Sequence, residues 1–232
     1  MKKEYMRQKL MESAIHVVAN EGIHKATTKA IANHSGVNEV YIYRLFEDKD
    51  DLFAQTFTLI DSELIACILK YEPIMNIQGI EIEERCYIFF KSCWRNILDY
   101  DKCSFFIKYY YSHYYNSYSP LKRRKAYSKV IECFTPAFKE GTDVWRIFNR
   151  ILDIVYSTVI KILRGEIPDN DETAEDVFRV LYSALEPFLV WSKSKTTKTV
   201  SATDLPQSRF SLAAMRVMLS AFAPLCFRAA RI

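Results

Sequence analysis

Apolar residues near the start of the chain recur at helical spacing, with Met6, Leu10, Ala14, Val17 and Val18 on one face before Glu21 and Gly22 end the run. That period predicts an amphipathic helix with a buried side, and its polar side carries Lys2, Lys3, Arg7 and Lys9. A second, shorter face follows, in which Ala30, Ile31 and Ala32 stand beside polar Lys29, Asn33 and His34. Thr27 or Thr28 can cap this helix through its side-chain oxygen, and Gly36 stands where it should stop, because glycine tolerates the left-handed backbone of a tight turn. Val37 can plug the angle to the next helix and Asn38 can cap it. From Glu39 to about Phe46, Ile42 with Leu45 or Phe46 should be buried, while Glu39, Tyr41, Tyr43 and Arg44 should not. Asp48 then caps a longer helix with Lys49 in its first turn.

Beyond this head the pattern predicts helices at about Asp48 to Lys70, Glu81 to Tyr100, Lys102 to Tyr115, Pro120 to Lys139, Asp143 to Arg164 and Asp171 to Trp191. Glu72-Pro73, Asp99 to Asp101, Ser119-Pro120, Gly141 and Gly165 to Pro168 punctuate them. Half the residues are hydrophobic and only five are glycine, too few turn signals for an all-β protein. The expected class is all-α, with an N-terminal three-helix head over residues 1–47, a helical bundle over 48–192 and a basic tail over 193–232. Two short helices joined by a glycine-containing turn form a helix-turn-helix, whose second helix can enter the major groove of DNA.

From Thr27 to Leu52 the chain resembles the TetR family of bacterial regulators. Thr28, Ile31, Ala32, Gly36, Val37, Tyr43, Phe46, Lys49 and Leu52 fall on the family pattern in register, with Ile42 in its Leu position. Val40 stands where the family usually has Gly, and Leu45 where it has Tyr or His, so the first adds bulk beside the bases and the second removes a phosphate contact. The resemblance implies a DNA interface of Thr27, Thr28, Lys29, Asn38, Glu39, Tyr41, Tyr43, Arg44 and Lys49. Asn38, Glu39 and Tyr41 are placed to reach bases, and Tyr43 and Lys49 to hold phosphates. It also implies a homodimer on a pseudo-palindromic, double-stranded operator, a small-molecule effector in the bundle and a repressor released by that effector.

The segment Phe105 to Tyr118 is unusually aromatic. Trp94, Phe105, Phe106, Tyr109, Tyr110 and Tyr114 are candidates to line a cavity for a lipophilic or aromatic molecule, with plain core as the competing reading. Tyrosine ring faces can also hold a cation, with Asp99 or Asp153 as the companion charge. Two apolar stripes suit a partner helix, and the family's paired last helices make Ile151, Leu152, Val155, Val159, Leu181, Leu185 and Phe188 candidates for a dimer seam. Packing within one bundle is the alternative.

Six scattered cysteines and four dispersed histidines form no metal-ligand spacing, and no cofactor is implied. Cys86 and Cys93, seven apart, would share one helix face as a conceivable thiol sensor. No paired carboxylate, phosphate loop or nucleophile motif suggests an enzyme. A polar N-terminus and the lack of a long uncharged apolar run favour the cytoplasm. The tail holds seven Lys or Arg against one Asp, so removing its +6 from the chain's +4 leaves −2 on residues 1–192. It reads as an appended segment, and Leu212 to Ile232 can form a basic helix that touches a membrane or the body. The competing functional reading is a helical protein-interaction module whose head has lost DNA binding.

Overall fold

A computed structural model describes residues 2–117 and 120–190. The expectations for the tail therefore lie outside the described residues. The head comprises α1 (Lys2–Glu21), α2 (Thr28–Ser35) and α3 (Val40–Leu45). After it come α4 (Lys49–Tyr71), α5 (Ile82–Ile97), α6 (Tyr100–Tyr110), α7 (Pro120–Ala126), α8 (Ser128–Phe134), α9 (Val144–Leu163) and α10 (Asp171–Leu185). The long helix expected from Pro120 is split into α7, α8 and a 3-10 turn at Thr135–Ala137, where Pro136 cannot donate to an α-helical ladder. The aromatic helix stops at Tyr110, and His113–Ser117 forms a 3-10 turn. Likewise α10 ends at Leu185, and Pro187 sits in the 3-10 turn Glu186–Phe188.

Local chemistry explains the helix ends. The Thr27 side chain accepts the Ala30 N–H at 3.1 Å, and Gly36 closes α2 at φ 64°. Asp48 accepts the Asp51 N–H at 2.8 Å while Asp51 in turn accepts that of Glu47 at 3.0 Å, a reciprocal cap that sets where α4 begins. Asp99, Asp143 and Asn170 cap α6, α9 and α10 in the same way.

One hydrophobic cluster holds the head together and continues out of it. Leu10, Ala14, Val17 and Val18 of α1, Ile31 of α2, Ile42 of α3 and Phe53 and Phe57 of α4 pack with Phe105, Phe106 and Tyr109 of α6. Across this junction the Lys108 ammonium donates to the carbonyls of Val18 and Ala19 at 3.2 and 2.6 Å. These are the last acceptors of α1, where the helix dipole favours a cation. His16 stacks on His34 with ring centres 4.3 Å apart, and its Nδ1 lies 3.1 Å from Asp101.

By length and composition, Lys49–Asn76 is the one helical stretch among the described residues that is apolar enough to cross a membrane. Its apolarity has a local cause, because α4 packs against α1, α5, α6 and α8 and needs greasy residues on several sides.

Candidate nucleic-acid interface and apolar cavity

The turn between α2 and α3 presents the residues singled out in the sequence. Asn38 is exposed, and its side-chain carbonyl accepts the Val40 N–H at 3.0 Å, which starts the second helix. Ile42 is fully buried with Leu45 and Phe46 beneath it, so Tyr43 and Arg44 face outward with Val40. Lys29 and Thr27 are also exposed, and the Arg44 guanidinium lies 5.5 Å from the centre of the Tyr41 ring. The result is one polar and basic face built from the end of the turn and the outer side of α3.

Three side chains have partners that the sequence did not reveal. Thr28 donates its hydroxyl to the Glu39 carboxylate at 2.5 Å, tying the start of α2 to the start of α3 across the turn. Glu39 therefore braces the helix pair as it stands. Lys49 donates to the Tyr114 hydroxyl at 2.8 Å and lies over the rings of Phe53 and Tyr114 at 5.6 and 5.0 Å. Arg7, assigned by the sequence to a basic arm, donates to the Leu45 carbonyl at 2.8 Å and stacks over Phe46 at 4.7 Å. It closes the C-terminal end of α3, a role invisible in sequence because the two residues lie 38 apart.

Within the body, an apolar cavity open to solvent lies between α4, α5, α8, α9 and α10. Ile68, Phe89, Phe90, Trp94, Phe148 and Leu181 are among its walls, and every lining residue is apolar, aromatic or cysteine. Burial pushes the Cys86 thiol up to about 11 and the Tyr182 hydroxyl up to about 12, so these wall groups stay neutral at physiological pH. One end is closed where Phe138 and Leu189 meet, with Lys139 N–H donating to Phe188 at 2.8 Å and Val190 N–H to Ala137 at 3.0 Å.

The sequence-derived ligand candidates fall in different places. Trp94 lines the cavity, but the other five do not. Phe105 and Tyr109 are fully buried in the core shared by head and body, and Tyr114 holds Lys49. Phe106 and Tyr110 stand around a buried cation, the Arg123 guanidinium, at 5.5 and 5.8 Å from their ring centres. Arg123 donates to Asp61 at 2.9 and 3.2 Å, and Tyr127 adds a 2.5 Å hydrogen bond to the same carboxylate. Burial works against the guanidinium's charge, but Asp61 outweighs it and holds Arg123 above its ordinary value. The tyrosine faces do hold a cation, then, but an internal one, with Asp61 as companion in place of Asp99 or Asp153. The aromatic run turns inward because α6 is sandwiched between α1, α4 and α9.

The candidate dimer residues are also relocated. Ile151, Leu152, Val155, Leu181 and Leu185 line the cavity of their own chain, and Val159 is fully buried. Phe188 alone of that set is exposed, at 37 %. A broad apolar stripe does not say which half faces inward. On α10 and beyond, the outward apolar side chains are Val180 at 56 %, Phe188 and Val190 at 51 %, with Ala184 between them.

A polar face on a short second helix, held on a three-helix head, is the arrangement of a helix-turn-helix. Residues 10–56, the head and the start of α4, match the model of the bacterial regulatory proteins of the tetR family. The fold agrees over the rest. A TetR family transcription regulator from Marinobacter aquaeolei VT8 superposes with a TM-score of 0.62 at 18% identity, covering 79% of this chain and 98% of that one. The fatty acid degradation regulator FadR from Bacillus halodurans gives 0.56 at 19% identity, covering 75% and 96%. The transcriptional regulator FadR from Bacillus subtilis, solved in complex with stearoyl-CoA, gives 0.53 at 18% identity, covering 76% and 98%. No curated protein sequence matches the chain.

Proposed function

We propose that the protein is a ligand-responsive repressor that binds a pseudo-palindromic operator as a homodimer and is released by a neutral, lipophilic effector. The observation that carries this reading is the course of α4. Its first residue, Lys49, lies at the DNA-facing head, and its second half supplies Leu64 and Ile68 to the wall of the apolar cavity. A molecule that fills the cavity bears on the same rigid helix that supports the recognition helix. A ligand acts by binding one head arrangement better than another, and a coupling of about 1–3 kcal/mol changes DNA affinity roughly 5- to 150-fold.

The wall specifies the effector's chemistry. No charged side chain lines the cavity, so an ionised group placed inside would lose hydration with nothing to replace it. Each buried methylene instead contributes about 0.8 kcal/mol. A long hydrocarbon or acyl chain suits this wall, with any polar head at the solvent-open mouth. A protein of the same fold solved with stearoyl-CoA is in keeping with that reading.

On the DNA side, Asn38 and Tyr41 are the base-reading candidates, and Thr27, Lys29, Tyr43 and Arg44 the backbone contacts. Thr28 and Glu39 set the helix pair, and Lys49 joins the phosphate contacts when it leaves Tyr114. The second subunit covers the outer face of α10, along Val180, Ala184 and Phe188. Such a regulator works in the cytoplasm, where its operator is.

Fluorescence anisotropy with DNA flanking the protein's own gene, with and without a series of neutral long-chain lipids, tests the proposal. Specific binding that weakens as chain length grows is expected. Binding that ignores every lipid would remove the effector reading, and lack of binding to any DNA would favour the protein-interaction module.

A further inference from the structure

Between Pro120 and Lys139 the sequence holds six basic residues and a single acid, Glu132. The fold sorts them by side. Arg123, Tyr127 and Val130 recur at helical spacing across the break between α7 and α8, and all three are buried. Arg123 is bonded to Asp61 of α4, and Tyr127 lies against Trp145 and Phe148 of α9 with ring centres 5.5 and 5.2 Å apart. With that stripe turned inward, Lys122, Arg124, Lys125 and Lys129 are left exposed on the outside. Among the described residues none of these four takes part in an ion pair.

Two apolar side chains flank the same cations. Leu121, at the start of α7, is 77 % exposed, and Tyr111, just past the end of α6, is 71 % exposed and shares a small cleft with Arg123. They are the two most exposed large apolar side chains among the described residues. Neither is covered by anything in its own subunit.

We propose that the outer face of α7 and the start of α8 docks on an anionic lipid bilayer, with Lys122, Arg124, Lys125 and Lys129 at the phosphate headgroups and Leu121 and Tyr111 where headgroups meet acyl chains. The inference does not depend on the DNA or effector reading. Unpaired positive charge selects an anionic partner, and the apolar pair selects among anionic partners. Duplex DNA offers phosphates with no apolar layer beneath them, so Leu121 and Tyr111 would gain nothing there. At a bilayer surface the basic side chains meet lipid phosphates while a leucine and a tyrosine enter the interface.

The face is also ready-made. The buried pair of Arg123 with Asp61 pins α7 to α4, so no ordering of the helix has to accompany docking. It lies apart in sequence from the DNA candidates, which belong to α2, α3 and the first turn of α4. Each basic residue that reaches an anionic surface strengthens attachment roughly fivefold, and salt weakens it.

The test reads individual lysines in the full chain, because the basic tail is itself able to hold the protein on anionic vesicles. The protein is acetylated briefly with a water-soluble, lysine-specific reagent in the presence of phosphatidylglycerol-rich vesicles, of phosphatidylcholine vesicles or of random duplex DNA, then digested and read by mass spectrometry. Phosphatidylglycerol should slow acetylation of Lys122, Lys125 and Lys129 by roughly threefold or more, while the exposed Lys161 of α9 keeps its rate and phosphatidylcholine protects none of them. Arg124→Gln should raise the lipid concentration for half-protection roughly fivefold. Leu121→Ser should raise it too, with no change of charge and no change in the binding of random DNA. Both side chains are exposed, and circular dichroism checks that the variants fold. Vesicles that bind the protein yet leave the three lysines open, protection that extends equally to Lys161, a midpoint indifferent to Leu121→Ser, or stronger protection by DNA than by lipid at equal phosphate would each overturn the proposal.

Discussion

Lys49 shows how a side chain's partner changes what its type implies. Position in the family pattern makes it a phosphate contact, yet its ammonium rests on the Tyr114 hydroxyl and on two rings. Removing the hydroxyl with Tyr114→Phe should free the charge and raise affinity for all DNA alike, whereas Lys49→Ala should lower it and reduce the salt slope by about one. Anisotropy titrations across a salt series on operator and random DNA read both, and a change in base preference from Lys49→Ala would contradict the assignment. Glu39→Gln keeps the size but weakens the bond to Thr28, and should cost about 0.5–1.5 kcal/mol in urea denaturation. Asp61 belongs to a harsher class: Asp61→Ala strands a buried guanidinium and should cost about 3–5 kcal/mol, while pairing it with Arg123→Met should recover much of that loss. The caps were legible in sequence because a cap is decided within four residues, as Thr27 and Asp48 show. The partners of Arg7, Lys49 and Arg123 were not, since each lies at least 38 positions away on another helix.

Periodicity located α4, α5, α9 and the start of α10 to within a few residues, overran the end of α10 by six, and misjudged the segment from Tyr111 to Phe138, where short helices and 3-10 turns replace two long helices. Those pieces are too short for a 3.6-residue rhythm to register. Periodicity also cannot say which side of a wholly apolar helix meets its own bundle, which is why the α9 stripe proved to line a cavity. The outer face of α10 is now where an interface is to be sought. Val180→Asp should split the dimer with little loss of monomer stability, because the side chain is 56 % exposed within one subunit; sedimentation of a folded variant that stays dimeric would move the interface elsewhere. On the inner side, Leu181→Trp fills space in the cavity and should abolish the response to lipid while operator binding persists.

For the whole molecule, the proposed homodimer would read half-sites about 34 to 36 Å apart, so a footprint should show paired protections one helical turn apart on one side of the duplex. The excess positive charge of the sequence lies in residues 193–232. A protein ending at Ser192 should therefore keep operator binding and its dimer but lose nonspecific, salt-sensitive affinity, measured on random DNA. The core that runs from α1 through α4 into α6 has a further consequence, for evolution and for engineering. Phe105, Phe106 and Tyr109 are packing partners of the head as much as of the body, so the head is no interchangeable cassette. A chimera that grafts a foreign head at residue 48 would meet these rings with mismatched side chains and lose the fit at its junction. On the proposed DNA reading, a new operator preference would instead be sought by changing residues such as Asn38 and Tyr41 in place, leaving α6 and the face of α1 it covers to change only together.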